Sequence, residues 1–222
     1  VCMNVPLLIG ARIVVMKSLR PFKRIIRAIR RNNITIFVGI PSIFTILKGT
    51  KLPKILHTPL LKLFNPVRVC VCGAAALPAQ TLQGFERKFR IPLLEGYGLT
   101  EASPVVTINP LDAQRKAGSV GTALSLNIQL RIVDTQDNTL GVDQVGELLV
   151  KGPNVMQGYH TQPAATHETI KNGWLYTGDM AKIDSQGYVY IVGRRKEMIN
   201  VRGLNVYPRE IEEVLYQNEK IK

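Results

Sequence analysis

The sequence predicts an α/β protein: a partial parallel α/β layer, then a small β-rich, barrel-like subdomain, then the start of a small α+β C-terminal domain. Three observations carry this reading. Apolar runs alternate with helical patterns as far as about Pro110, which argues for parallel strands joined by crossovers. Beyond that point short β-rich runs are punctuated by turn signals, and helical spacing becomes rare. After Lys196 a hairpin pattern leads into a helix opened by Pro208. The boundaries expected from these changes of texture are 1–115, 116–194 and 195–222.

In chain order, Val1–Met16 is apolar but too short to span a bilayer, and Pro6, Gly10 and Arg12 interrupt it. Its positive charges follow the apolar run, whereas a signal peptide puts them first. It reads as a buried element leading to a strand, RIVVM, at 12–16. Between Pro21 and Arg31, Phe22, Ile25, Ile26 and Ile29 recur at helical spacing, with Lys23, Arg24, Arg27 and Arg30 turned outward. ITIFVGI at 34–40 reads as a buried strand, and PSIFTILKG as a short helix with Pro41 in its first turn. VRVCVCG at 67–73 is a strand ending on Gly, Pro78–Arg90 a helix, and IPLLEGYG a further strand and turn. IQLRIVD, GELLVKG and YVYIVG are then expected as strands of the second subdomain, separated by DTQDN, KGPN and DSQG. A short helix is expected around Pro163–Ile170. MINVRGLNVYP reads as a hairpin turning at Gly203, and Glu210 and Glu212 suit the first turns of the helix that follows.

Composition excludes several classes. The 222 residues are 45% hydrophobic with ordinary Gly, Pro and charged content, which excludes disorder, collagen and a disulfide scaffold. Cys70 and Cys72 share one face of a single strand, and His57, His160 and His167 show no ligand spacing relative to the cysteines, so neither a disulfide framework nor a zinc site is expected. A reducing, cytoplasmic setting suits this usage. Charge is uneven: residues 1–85 hold 13 Lys and Arg and no Asp or Glu, so the whole net charge of +13 lies there. Such a face suits an anionic membrane surface, a polyanionic substrate or nucleic acid. It also suits a chain whose acidic portion lies elsewhere, since the sequence opens on Val1 inside an apolar run. For nucleic acid no recognition motif is visible, and aromatic residues are not interleaved with the basic ones.

Three strings carry candidate chemistry. In LEGYGLTEAS, residues 94–103, Gly96 and Gly98 let backbone approach a ligand, and Tyr97 offers a ring for stacking a base. Thr100 can donate to a phosphate oxygen and Glu101 can hold Mg2+ at what reads as a strand-to-helix turn. An ordinary Gly-rich loop with a helix cap at Thr100 has the same pattern. In WLYTGDMAKID, residues 174–184, Asp179 in a Gly-Asp turn between strands can chelate two ribose hydroxyls, as well as being a solvent-facing turn residue. GRRKEMINVRGLNVYPREIEE, residues 193–213, places Arg194, Lys196 and Arg202 around a hairpin, which is also how a basic surface hairpin reads.

In this order, together with VPLLIGARIVV, IPSIF, CGAAALP, GSVGTAL and GELLVKGPNVMQGY, the strings resemble the adenylate-forming superfamily of acyl-CoA synthetases, luciferases and peptide-synthetase adenylation domains, over nearly the whole chain. Bacterial medium- to long-chain fatty acyl-CoA ligases look most similar, and acyl-carrier-protein ligases share much of the pattern. The resemblance implies Tyr97 as the adenine-stacking ring, with Gly73, Ala74 and Ala75 at the adenine edge. It implies Thr100 at the phosphates, Gly96 and Gly98 among the nucleotide-binding residues, Glu101 as the Mg2+ ligand, and Asp179 and Arg194 at the ribose. Lys196 would be the hinge of the small domain, Gly203 would approach the pantetheine tunnel, and IPSIF would border the acyl tunnel. ATP or AMP, Mg2+, CoA and a fatty acid or other carboxylate are the implied cofactors and partners. Peripheral contact with an anionic membrane is expected of the basic face, with no transmembrane segment. The family's Ser/Thr/Gly-rich phosphate loop and its C-terminal catalytic Lys are not in this sequence, so this chain by itself is expected to be an internal fragment without adenylating activity.

Overall fold

A computed structural model describes residues 3–17, 23–50, 66–201, 204–216 and 218. The chain divides into two compact units, one formed by Val1–Leu77 with Thr81–Leu94 and the other by Pro78–Gln80 with Glu95–Lys222.

In the first unit, α1 (Asn4–Leu8) is followed by α2 (Lys23–Arg31), β1 (Ile36–Gly39), α3 (Pro41–Gly49), β2 (Val69–Cys72) and α4 (Ala79–Phe89, whose first two residues belong to the other unit). β1 and β2 run parallel, with Ile36 opposite Val69 and Gly39 opposite Cys72, as the alternating pattern implies. The core gathers Phe44, Cys70, Cys72, Leu77, Leu82, Phe85, Ile91 and Leu93. Phe44 is fully enclosed and meets the Phe85 ring edge-on at 5.2 Å, a favoured aromatic geometry. Cys70 and Cys72 both face this core and form no disulfide, and burial raises the Cys70 pKa to about 12, so it stays protonated and inert. Lys88 on α4 donates to Leu47 O at 3.0 Å and Lys48 O at 2.7 Å. A cation thus sits on the C-terminal carbonyls of α3, where the helix dipole favours it.

Three expectations for this unit are corrected. RIVVM at 12–16 forms no strand, and α1 before it buries no residue; Ile13, Val14 and Met16 are only half-buried. β1 is not buried on both faces: Ile36 and Val38 are exposed, and only Phe37 and Gly39 turn toward Phe44. On α2, Ile25 is buried and Ile29 packs on the core, but Ile26 lies on the outward side with Arg24, Arg27 and Arg30, since the helix offers only a narrow stripe to its neighbours. Phe22, Cys2, His57 and Gly203 lie outside the described residues. Among those described, no helix is long and apolar enough to cross a membrane.

The second unit begins within β3 (Leu93–Gly98), whose first two residues belong to the other unit. It continues through β4 (Val105–Ile108) and β5 (Thr122–Ala123), all antiparallel. A second antiparallel sheet follows with the order β10-β9-β7-β6, comprising β6 (Gln129–Val133), β7 (Gly146–Lys151), β9 (Trp174–Ile183) and β10 (Val189–Arg194). α5 (Pro163–Thr169) leads into β8 (Ile170–Lys171), which pairs with β9. Alternation in GELLVK is overridden because β7 is central: Gly146 through Val150 are all buried. Ala102, Val106, Val120, Ile132, Leu148, Val150, Leu175 and Val189 form the core of this unit. Beyond a 3-10 turn, Arg195–Glu197, β11 (Ile199–Val201) and β12 (Leu204–Val206) pair as the expected hairpin, and α6 (Pro208–Tyr216) follows.

Candidate functional site

The chain's shape at Asp179 is set by a bulge. Glu147 pairs with Met180 and Leu149 with Tyr176, so two steps along β7 span four along β9. The extra residues bulge out at Thr177–Asp179, where Gly178 takes φ +72, a conformation that disfavours side chains. Asp179 is therefore not in a turn between strands, as expected, but inside a single ten-residue strand. Three local bonds hold the bulge: Thr177 Oγ1 donates to Leu148 O at 2.7 Å, Asp179 N donates to Thr177 Oγ1 at 3.1 Å, and Gly178 N donates to Glu147 Oε1 at 3.0 Å.

The Asp179 carboxylate so aimed is only 6% exposed. Tyr97, at the end of β3, donates its phenol to Asp179 Oδ2 at 2.6 Å, and Arg194 Nε faces Asp179 Oδ1 at 3.3 Å. A second irregularity, in β10 between Ile191 and Gly193, brings Arg194 opposite Asp179 in register. Burial raises the Tyr97 pKa strongly, and the Asp179 charge and hydrogen bond beside it push it further the same way, so this phenol remains a donor. The Tyr97 ring is half-buried and packs on the core of its unit. A carboxylate offers about four lone-pair directions; on Asp179 the Tyr97 phenol takes one on Oδ2, and Oδ1 carries the Arg194 ion pair, which leaves acceptor directions on both oxygens for a diol.

The glycines beside Tyr97 have a reason internal to the chain. A Cβ on Gly98 would lie 2.0 Å from Pro104 O, and one on Gly96 would lie 2.9 Å from Thr107 O. The backbone that approaches them is β4 and its lead-in, whatever else approaches the site. Thr100 opens a three-residue 3-10 turn, Thr100–Ala102, that returns directly to β4. The expected strand-to-helix turn is thus a strand-to-strand connection, and Thr100 caps no α-helix. Its side chain is exposed. Glu101 follows, and Tyr159 donates its phenol to Glu101 Oε1 at 2.9 Å. Burial raises the Tyr159 pKa, and the bond to Glu101 with its charge raises it further. Among the described residues, Glu101 Oε2 accepts no hydrogen bond, which leaves it open to a cation.

The structure thus brings together Tyr97, Asp179 and Arg194, with Thr100 and Glu101 three and four residues beyond Tyr97. Lys196 stands exposed in the 3-10 turn just past Arg194. Gly73 follows β2 half-buried in the other unit, while Ala74 and Ala75 are exposed there and Ala74 adopts a left-handed φ of 71. No group of His, Cys, Asp and Glu among the described residues forms a preassembled metal cage. Sequence reasoning missed Glu147, Arg195 and Tyr159. A lone carboxylate opening an apolar run, GELLV, was the signal available for Glu147; nothing local marks Tyr159.

Comparison with known proteins adds to this geometry. The model of the AMP-binding enzyme family matches residues 1–160. The chain is 36% identical to a long-chain-fatty-acid–CoA ligase of Bacillus subtilis (strain 168), over 99% of this chain and 38% of that protein. It is 51% identical to the long-chain-fatty-acid–CoA ligase of Escherichia coli O6:H1, over 59% of this chain and 23% of that one. Among solved structures, ATP-bound MatB from Rhodopseudomonas palustris superposes with a TM-score of 0.83 at 34% identity, covering 94% of this chain and 40% of that chain. The chain therefore spans about two fifths or less of the length of these relatives.

Proposed function

This chain belongs to the family of AMP-binding enzymes, and from that premise we propose that the protein it forms is an ATP-dependent ligase joining medium- to long-chain fatty acids to CoA. In the first half-reaction a fatty carboxylate oxygen attacks the α-phosphorus of ATP, giving acyl-AMP and pyrophosphate. In the second, the CoA thiol attacks the acyl carbon, AMP leaves and a thioester remains. The adenylate is a reactive mixed anhydride, so exclusion of water matters to the yield.

Asp179 carries the reading. A nearly buried carboxylate, held by a phenol hydrogen bond on one oxygen and an arginine ion pair on the other, with acceptor directions open on both, fits a vicinal diol such as that of ribose. Arg194 lies on the same carboxylate and would orient it toward the sugar. Tyr97 would place its ring beside the base; Gly73, Ala74 and Ala75 are the residues that the family resemblance proposes for the adenine edge. Thr100 is exposed for a phosphate oxygen. Glu101, with Oε1 held by Tyr159 and Oε2 open, fits a magnesium ion bound jointly with phosphates. When bound, magnesium would neutralise phosphate charge. Lys196, exposed at the exit of β10, is the proposed hinge between half-reactions, and Gly203 the proposed approach to CoA.

The test uses the full-length protein. Fatty-acid-dependent exchange of labelled pyrophosphate into ATP, and thioester formation with CoA, are expected with acids of medium to long chain and weakly with aryl acids. Asp179→Ala should raise the apparent KM for ATP about ten-fold or more with little change in that for the acid, the loss expected of a hydrogen-bonded charged contact. Exchange supported best by an aryl or amino acid would overturn the substrate assignment, and an unchanged ATP dependence would overturn the site.

A further inference from the structure

Two consecutive arginines at the end of β10 reach two different carboxylates. Arg194 Nε faces Asp179 Oδ1, and Arg195 Nη1 donates to Glu147 Oε2 at 3.0 Å. Glu147, 8% exposed at the start of β7, uses its other oxygen to accept the Gly178 N–H at 3.0 Å. One carboxylate therefore ties the backbone of the bulge that aims Asp179 to the first residue of the 3-10 turn leading from β10 toward β11. At a bulge the ladder leaves a backbone donor unmatched, and Glu147 Oε1 supplies the missing acceptor. A carboxylate withdrawn from water is costly unless its oxygens are bonded. Here one donor is a half-buried backbone N–H of the bulge, and the other is on a side chain that is 59% exposed. The exposed half is the weaker and can open while the bulge stays held.

We propose that Glu147 is a positioning residue for Asp179 and that its bond to Arg195 is a latch coupling nucleotide occupancy to the placement of the segment after β10. The coupling rests on the nucleotide reading above; the latch stands on the geometry alone. Because Arg194 and Arg195 are adjacent, a ligand that draws Arg194 and Asp179 into one arrangement also fixes where Arg195 can reach. By linkage, closing the latch favours that ligand in turn.

Three variants of the full-length protein separate the parts. Arg195→Gln removes the latch and leaves Glu147 on Gly178. Glu147→Gln keeps an oxygen for the Gly178 N–H but turns an amide toward Arg195. Arg195→Lys retains a cation and should restore part of the effect. Without nucleotide, amide exchange at 196–201 should accelerate about five-fold or more in Arg195→Gln, the lower end of ordinary coupling, with exchange at Leu148–Val150 unchanged. Saturating AMP should slow exchange at 196–201 in the wild type and much less in Arg195→Gln or Glu147→Gln. The Kd for AMP should rise several-fold in Glu147→Gln. Wild-type exchange rates in nucleotide-free Arg195→Gln would overturn the latch. Equal protection by AMP in wild type and Arg195→Gln would overturn the coupling. If the wild type fails to bind AMP, the nucleotide reading and the coupling fall, and the nucleotide-free comparison still decides the latch.

Discussion

Tyr97 performs two tasks with separable atoms. Its ring is half-buried against the core, and its hydroxyl bonds the charge of Asp179 at 2.6 Å. Tyr97→Phe keeps the ring and deletes the bond, leaving Asp179 short of one donor in a nearly dry site. A hydrogen bond to a charged group is worth about 1.5–3 kcal/mol, so a comparable loss of stability is expected in denaturant titrations. AMP affinity should fall less than in Asp179→Ala, since the open acceptor directions survive; calorimetric titration of both variants checks the order. Tyr97→Ala should lose more affinity than Tyr97→Phe if the ring also stacks on the base, and equal losses would remove that role. At this scale the sequence showed Tyr97, Asp179 and Arg194 as residue types suited to a nucleotide. It could not show the bond between Tyr97 and Asp179, which are 82 positions apart.

Strands and turns in this chain follow local pattern closely where one face is buried. Irregularities do not. PSIFTILKG folds as a helix over Pro41–Gly49 as its spacing implies, and after Lys196 the strands Ile199–Val201 and Leu204–Val206 pair antiparallel. The bulge at Thr177–Asp179 left no periodic trace, because it inserts two residues and so keeps the alternation on either side, and the single extra residue at Ile191–Gly193 shifts the phase only at the end of β10. The β3–β4 pair has a similar shift between Tyr97 and Gly98, and there Pro104 O occupies the space a side chain would need. Gly98→Ala should therefore force the strands apart at a cost of about 1–3 kcal/mol, the range of overpacking in a tight site. The expected reading is a lowered Tm together with weakened AMP binding, since Tyr97 is its neighbour. Full wild-type stability would mean that the lead-in to β4 moves freely.

Acid should weaken the second unit through a clamp remote from the site. Asp184 follows β9, and its carboxylate receives Lys116 Nζ on one oxygen and the N–H groups of Gln186 and Tyr188 on the other, at 2.9 and 3.0 Å. Burial alone would raise its pKa; the Lys116 bond and the two backbone donors outweigh that and lower it from 3.8 to about 2. A depressed folded pKa contributes stability that is fully present above the unfolded value and is lost as pH falls through the folded one. Melting curves should show Asp184→Asn less stable than wild type at pH 6. The gap should narrow between pH 4 and 2. A gap that stays constant over that window would mean that Asp184 contributes by shape rather than charge. The net charge of +13 adds self-repulsion as carboxylates protonate, so the whole chain should lose stability on the acid side.

What the sequence determined by itself was whatever short-range chemistry dictates: the parallel α/β opening, the antiparallel strands after Pro110, and the string of glycines, hydroxyl and carboxylate that marked LEGYGLTEAS. Backbone sterics and side-chain periodicity act over a few residues, so they are legible in order along the chain. Tertiary structure alone decided which surfaces were covered, leaving Ile36 and Val38 of β1 exposed where a buried strand was expected. It also decided which charges met. Glu147 and Arg195 are 48 positions apart, and their bond depends on two bulges whose combined offset sets the register of three strands. A one-residue slip would turn those side chains to the other face. Long-range pairing is a property of the summed packing, and no local pattern in the chain encodes it.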